Sequence, residues 1–115
     1  MDTAATTADQ DEDEGFNMAS LKPSQTGIDN SVFVSVKGRA QHAARIKIAI
    51  DPPNSFDDTC QTVSIAIHDY REIGEGLTPQ LRAQARRFID RNRSLLIDYW
   101  NGKLATEDFM SALKR

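Results

Sequence analysis

The amino-acid sequence predicts the α+β class: a three-stranded, mostly antiparallel sheet, one long helix packed on one face, and a short C-terminal helix. Three segments alternate β-branched residues with other side chains at period two: Val32, Val34 and Val36, then Ile46, Ile48 and Ile50, then Val63, Ile65 and Ile67. That is the pattern of strands buried on one side and wet on the other. A longer run from Pro79 to Asn101 puts Leu81, Ala85, Phe88, Ile89, Asn92, Leu95, Leu96 and Tyr99 on one side of an α-helical wheel. The sheet needs a second layer and the helix needs a seat for its apolar stripe, so each is read as the cover of the other.

Length and composition bound the rest. At 115 residues and 39% hydrophobic content, the chain supports a single modest core. No apolar run approaches the roughly 20 residues that span a bilayer, and the acidic start is unlike a secretory signal, so a cytoplasmic protein without membrane partners is expected. Cys60 is the lone cysteine; it is expected to be an inert thiol, since no intramolecular disulfide or multi-cysteine zinc module can be built from it.

In chain order, residues 1–24 read as a disordered acidic N-terminal arm and residues 25–115 as the single α+β domain. Asp2, Asp9, Asp11, Glu12, Asp13 and Glu14 precede the first basic residue, Lys22. Such a stretch buries too little apolar surface to offset its ordering entropy. Residues 15–115 then hold 14 basic against 11 acidic side chains, a mildly basic body behind an acidic tail. In its functional reading the arm competes with nucleic acid for the body's own basic surface; in its plain reading it is a solubilising extension. Pro23 and Gly27 supply turn chemistry ahead of the first strand. Gly38 to Ala44 fits an antiparallel hairpin, and Asp51 to Asp58 is a proline-marked excursion. Thr78 is placed to cap the long helix, Pro79 suits its first position and Gly102 its end. Thr106 is placed to cap the last helix, with Glu107 and Asp108 in its first turn and Lys114 and Arg115 at its end. Phe109, Met110 and Leu113 give that helix a stripe expected to pack beside Tyr99 and Trp100.

Candidate chemistry is sparse. His42 stands close to Arg45 and Lys47, and His68 is the only other histidine. Together they are the candidates for acid–base work on a phosphodiester, as in a metal-independent ribonuclease-type toxin, provided the fold brings them together. His42, His68, Cys60, Asp57 and Asp58 show no ligand spacing, so no metal and no cofactor is expected. Arg82, Arg86, Arg87, Arg91 and Arg93 form a basic margin on the long helix, and with Arg45 and Lys47 they are the candidate binding residues. Guanidinium forks suit phosphates or acidic protein surfaces. Phe88, the aromatic residue among these arginines, falls on the apolar face, so no aromatic side chain interleaves on the basic margin to stack bases, which favours a protein partner over nucleic acid. A sheet edge offers a further route, including homodimerisation.

Gly38, His42-Ala43-Ala44-Arg45-Ile46-Lys47, Val63-Ser64-Ile65-Ala66-Ile67 and above all Asn92 to Lys103 carry a resemblance. The segment from about 24 to 114 resembles small bacterial proteins of the "domain of unknown function" kind, some of them encoded near toxin–antitoxin or phage-associated genes. The resemblance implies the fold and no catalytic residue. The functional expectation is a nonenzymatic protein-interaction module, regulatory or antitoxin-like, that binds through the Arg-rich helix margin or a sheet edge.

Overall fold

Among the described residues the sheet has five strands where three were expected. The computed structural model describes residues 18–38 and 42–115. Its strands are β1 (Met18–Leu21), β2 (Val32–Ser35), β3 (Arg45–Asp51), β4 (Gln61–Ala66) and β5 (Glu72–Ile73), antiparallel and adjacent in chain order. The three strands read from periodicity are β2, β3 and β4. The two additions are both edges, and each was hidden for a physical reason. Met18–Leu21 alternates Ala19 and Leu21 with Ser20 directly after the acidic run, so the segment assigned to the arm over residues 18–24 in fact begins the sheet and then makes the single-turn helix α1 (Pro23–Thr26). The rest of the arm, residues 1–17, lies outside the described residues, as do residues 39–41 of the β2–β3 connection. β5 is two residues long, too short to show a period.

Helix α2 (Pro79–Trp100) and helix α3 (Thr106–Ala112) complete the chain. The Thr78 hydroxyl accepts the Leu81 N–H at 3.1 Å, capping α2 as the sequence indicated. Gly102 takes φ 76 just past the end of the helix. Across the covered face of the sheet, Leu21, Val32, Ile48 and Val63 are cross-strand neighbours in one row, with Ala19 beside Val34 and Ile46 beside Ile65. Leu81, Ala85, Phe88, Ile89, Leu96 and Tyr99 of α2 are buried with them, so helix stripe and sheet face form one core. Among the described residues no helix is long and apolar enough to cross a membrane.

Helix α3 departs from its expected capping. Ala105 holds the cap position and offers no side-chain acceptor, while the Thr106 hydroxyl lies 2.9 Å from the Tyr99 hydroxyl. The helix ends at Ala112, so Lys114 and Arg115 fall beyond its last turn. The expected seat is occupied: the Phe109 ring stacks on Tyr99 with centroids 4.2 Å apart.

Asn92 is the polar intruder in the apolar stripe, and it is 3% exposed. Its backbone leaves helical values at φ −126, ψ 18. Its amide donates to the Phe88 carbonyl at 2.9 Å and the Lys114 carbonyl at 2.7 Å, and its Oδ1 accepts the Lys114 N–H at 2.8 Å. One side chain thus binds the C-terminal segment to the kink in α2. Asn92→Ala leaves the Lys114 groups without that partner and is expected to cost about 1–3 kcal/mol in denaturant unfolding.

The chain after β5 closes on β4 through glycine. Gly74 has φ +115, and a Cβ there would stand 2.9 Å from the Thr62 carbonyl oxygen. Gly74→Ala is expected to lose about 1–3 kcal/mol in the same assay, through backbone strain and a clash with an immobile acceptor. A near-neutral result would mean this segment does not lie along β4.

Candidate functional site

Among the described residues no helix covers the opposite face of the sheet. The strand register sets its side chains in rows. Ser20, Phe33, Lys47, Ser64 and Ile73 are successive cross-strand neighbours over all five strands. In the next row Arg45 opposes Ala66, and the Ala66 N–H donates to the Arg71 carbonyl at 2.8 Å. The β3–β4 loop leans over the β1–β3 half of this face. Lys47 pairs with Asp58 at 3.0 Å, and the Ser20 hydroxyl donates to the Phe56 carbonyl at 3.1 Å. Phe33 is buried beneath, although it lies on the side without a helix.

The β3–β5 half stays open. There β4 presents Ser64 and Ala66, small side chains between taller neighbours on either side, and the difference in height makes a trough. His42, Ala43, Arg45, Ser64, Ala66, Arg71 and Ile73 line a cavity of about 250 Å³. Two guanidiniums, an imidazole and a hydroxyl therefore meet over an apolar floor, with no carboxylate among the described lining residues. The Arg45 Nε is buried with no hydrogen-bond partner among the described residues. Ile73 is 57% exposed at the rim. An extended ligand bearing an oxyanion fits this chemistry, since a carboxylate or phosphate accepts from planar guanidinium forks.

Of the residues singled out from sequence, His42 and Arg45 line this trough, and Lys47 stands one row away, engaged by Asp58. His42 also lies against the Trp100 indole, with ring centroids 5.2 Å apart. His68 is exposed beyond the end of β4, with Nε2 4.0 Å from Asp69, and does not line the trough. The structure does not gather the two histidines into one site. Cys60 is half-buried, its thiol 3.5 Å from the Asp57 carbonyl.

The helix arginines are mostly engaged within the chain. Arg82 makes a two-point contact with Glu72, at 2.5 and 3.0 Å. Arg86 and Arg93 both stand over the Tyr70 ring, at 4.9 and 5.5 Å. Arg93 also donates to the Ile67 carbonyl and to Asp90, and the Tyr70 hydroxyl donates to Asp90 as well. Arg91 donates to the Arg115 carbonyl. Arg87 is exposed and has no ion-pair or hydrogen-bond partner among the described residues. The basic margin is thus a latch that fastens the β4–β5 turn to α2, and it holds Tyr70 at φ 64, a conformation that side chains seldom adopt.

The latch is acid-sensitive. The Arg82 contact holds the Glu72 carboxyl below its usual range, and the Tyr70 hydroxyl, then Arg93, does the same for Asp90. Both folded values lie below the unfolded ones. Their contribution to stability is therefore full above the unfolded values, near pH 4, and is lost as pH falls through the lowered folded values. Glu72→Gln is expected to flatten part of the decline in unfolding midpoint below about pH 4; an unchanged profile would dismiss the latch as a source of stability.

Sequence reasoning missed Ser64, Ala66, Arg71 and Ile73. Ser64 and Ala66 carried a usable signal, because small residues alternating with isoleucines mark a strand with a bare outer face. Arg71 and Ile73 carried none, since β5 was not legible. No family model matches the chain, and neither does any curated protein or solved structure.

Proposed function

We propose that the protein is a nonenzymatic interaction module that receives an acidic, extended segment of a protein partner in the trough along β4. The observation that carries this reading is the pair Arg45 and Arg71, set on either side of Ala66 with the Arg45 Nε buried and, among the described residues, unpaired. A buried donor without an acceptor is costly, which marks the Arg45 guanidinium as incompletely satisfied, and planar forks on either side of Ala66 suit a carboxylate arriving over it. The apolar floor and exposed Ile73 suit small apolar side chains between the acidic ones. The β5 edge lies beside the same trough, so a bound strand and an edge contact would be continuous. A regulatory, antitoxin-like role agrees with such a surface and with the resemblance stated above.

The test uses a fluorescein-labelled peptide alternating Glu and Val, and a single-stranded RNA of equal charge, titrated by polarisation. The peptide is expected to bind more tightly than the RNA, and its affinity to fall with added salt. Tighter binding of the RNA would overturn this reading in favour of a nucleic-acid function.

A further inference from the structure

The trough has an occupant within reach on its own chain. Met18 lines a small recess on the same face with Ser35, Arg45 and Lys47, so β1 begins beside Arg45. Met18 pairs with Ser35, at the end of the sheet where Arg45 and Arg71 also lie. From β1, Arg45 is two strand spacings away, about 10 Å, and Arg71 four, about 19 Å. Glu14 precedes Met18 by four residues and Asp11 by seven; extended, those lengths span about 13 and 23 Å. The distances to the two guanidiniums are matched by the positions of the acidic residues.

Charge points the same way. The segment from Asp9 to Glu14 holds five carboxylates and no basic residue, and among the described residues the trough is lined by two arginines and no carboxylate. Asp58 already shows a carboxylate of this chain meeting a cation of this face, at Lys47. Tethering raises the local concentration of the acidic segment to the order of millimolar, enough to fill a weak oxyanion clamp without any partner.

We propose that the acidic segment Asp9–Glu14 docks in the trough between Arg45 and Arg71 and competes there with the partner. This rests on the reading of the trough as a partner site, and sets a threshold: a partner segment must displace the chain's own carboxylates before it binds. Salt that screens the contact, or a partner of higher charge, opens the site.

The test compares the full chain with a variant carrying Asp9→Asn, Asp11→Asn, Glu12→Gln, Asp13→Asn and Glu14→Gln, by ¹H–¹⁵N correlation spectra and by titration with the Glu-Val peptide. Neutralisation is expected to shift the amides of Ser64, Ala66, Arg71 and Ile73, and to tighten peptide binding about 3- to 10-fold as the tethered competitor is lost. At about 0.5 M salt the two spectra should converge at those amides. Unchanged trough amides at low salt, or shifts confined to α2, would overturn the proposal. Failure of the partner reading looks different: neither protein binds the peptide, while the amide shifts still report the docked arm.

Discussion

Phe88→Ala is expected to destabilise the protein by about 3–5 kcal/mol, read from chemical denaturation. Phe88 is 1% exposed and sits in the middle of α2, within the cluster that includes Val34, Ile46 and Ile65. Truncation removes the apolar area that joins helix to sheet and leaves a cavity that a rigid α2 cannot collapse to fill. Total stability of such a domain is about 5–15 kcal/mol, so the variant stands at the margin of folding. Phe88→Leu keeps most of the volume and is expected to lose less than half as much. One residue earlier, Arg87→Ala should stay within about 0.5 kcal/mol, since it removes an exposed side chain with no described partner. Equal losses at positions 87 and 88 would contradict the orientation of α2 on the sheet.

Reversing charge at the trough is expected to have the largest effect on binding. Arg45→Glu with Arg71→Glu turns a two-cation clamp into a two-anion one, beside a ligand of the same sign. A hydrogen bond to a charged group contributes about 1.5–3 kcal/mol, so two such losses should weaken the Glu-Val peptide by at least about 100-fold. The thermal midpoint is expected to change little, because both side chains lie on the face without a helix and neither belongs to the apolar core. Arg87→Glu on α2 is the matched control and should leave affinity unchanged. If instead Arg87→Glu weakens the peptide and the trough double variant does not, the helix margin is the binding surface.

The two surfaces differ in how far the sequence exposed them. Arg82, Arg86 and Arg93 stood out because they recur four and seven residues apart, a helical spacing, within one segment, yet Glu72, Tyr70 and Asp90 engage them. Their partners Tyr70, in the β4–β5 turn, and Glu72, in β5, are placed by hairpin geometry. The trough was nearly invisible, since it is made of what β4 lacks between neighbours that come from β3 and β5. Absence of bulk has no motif.

By itself, the sequence determined the three central strands, the extent and cap of α2, and the stripe through Phe88 that joins them, because periodicity is a local property and burial enforces it. Only the tertiary structure decided that Met18–Leu21 and Glu72–Ile73 complete the sheet, that Asn92 holds Lys114, and which arginines meet carboxylates among the described residues. Edge strands, kinks and ion pairs depend on which distant segments meet, and contacts between residues far apart in the chain leave no period to read.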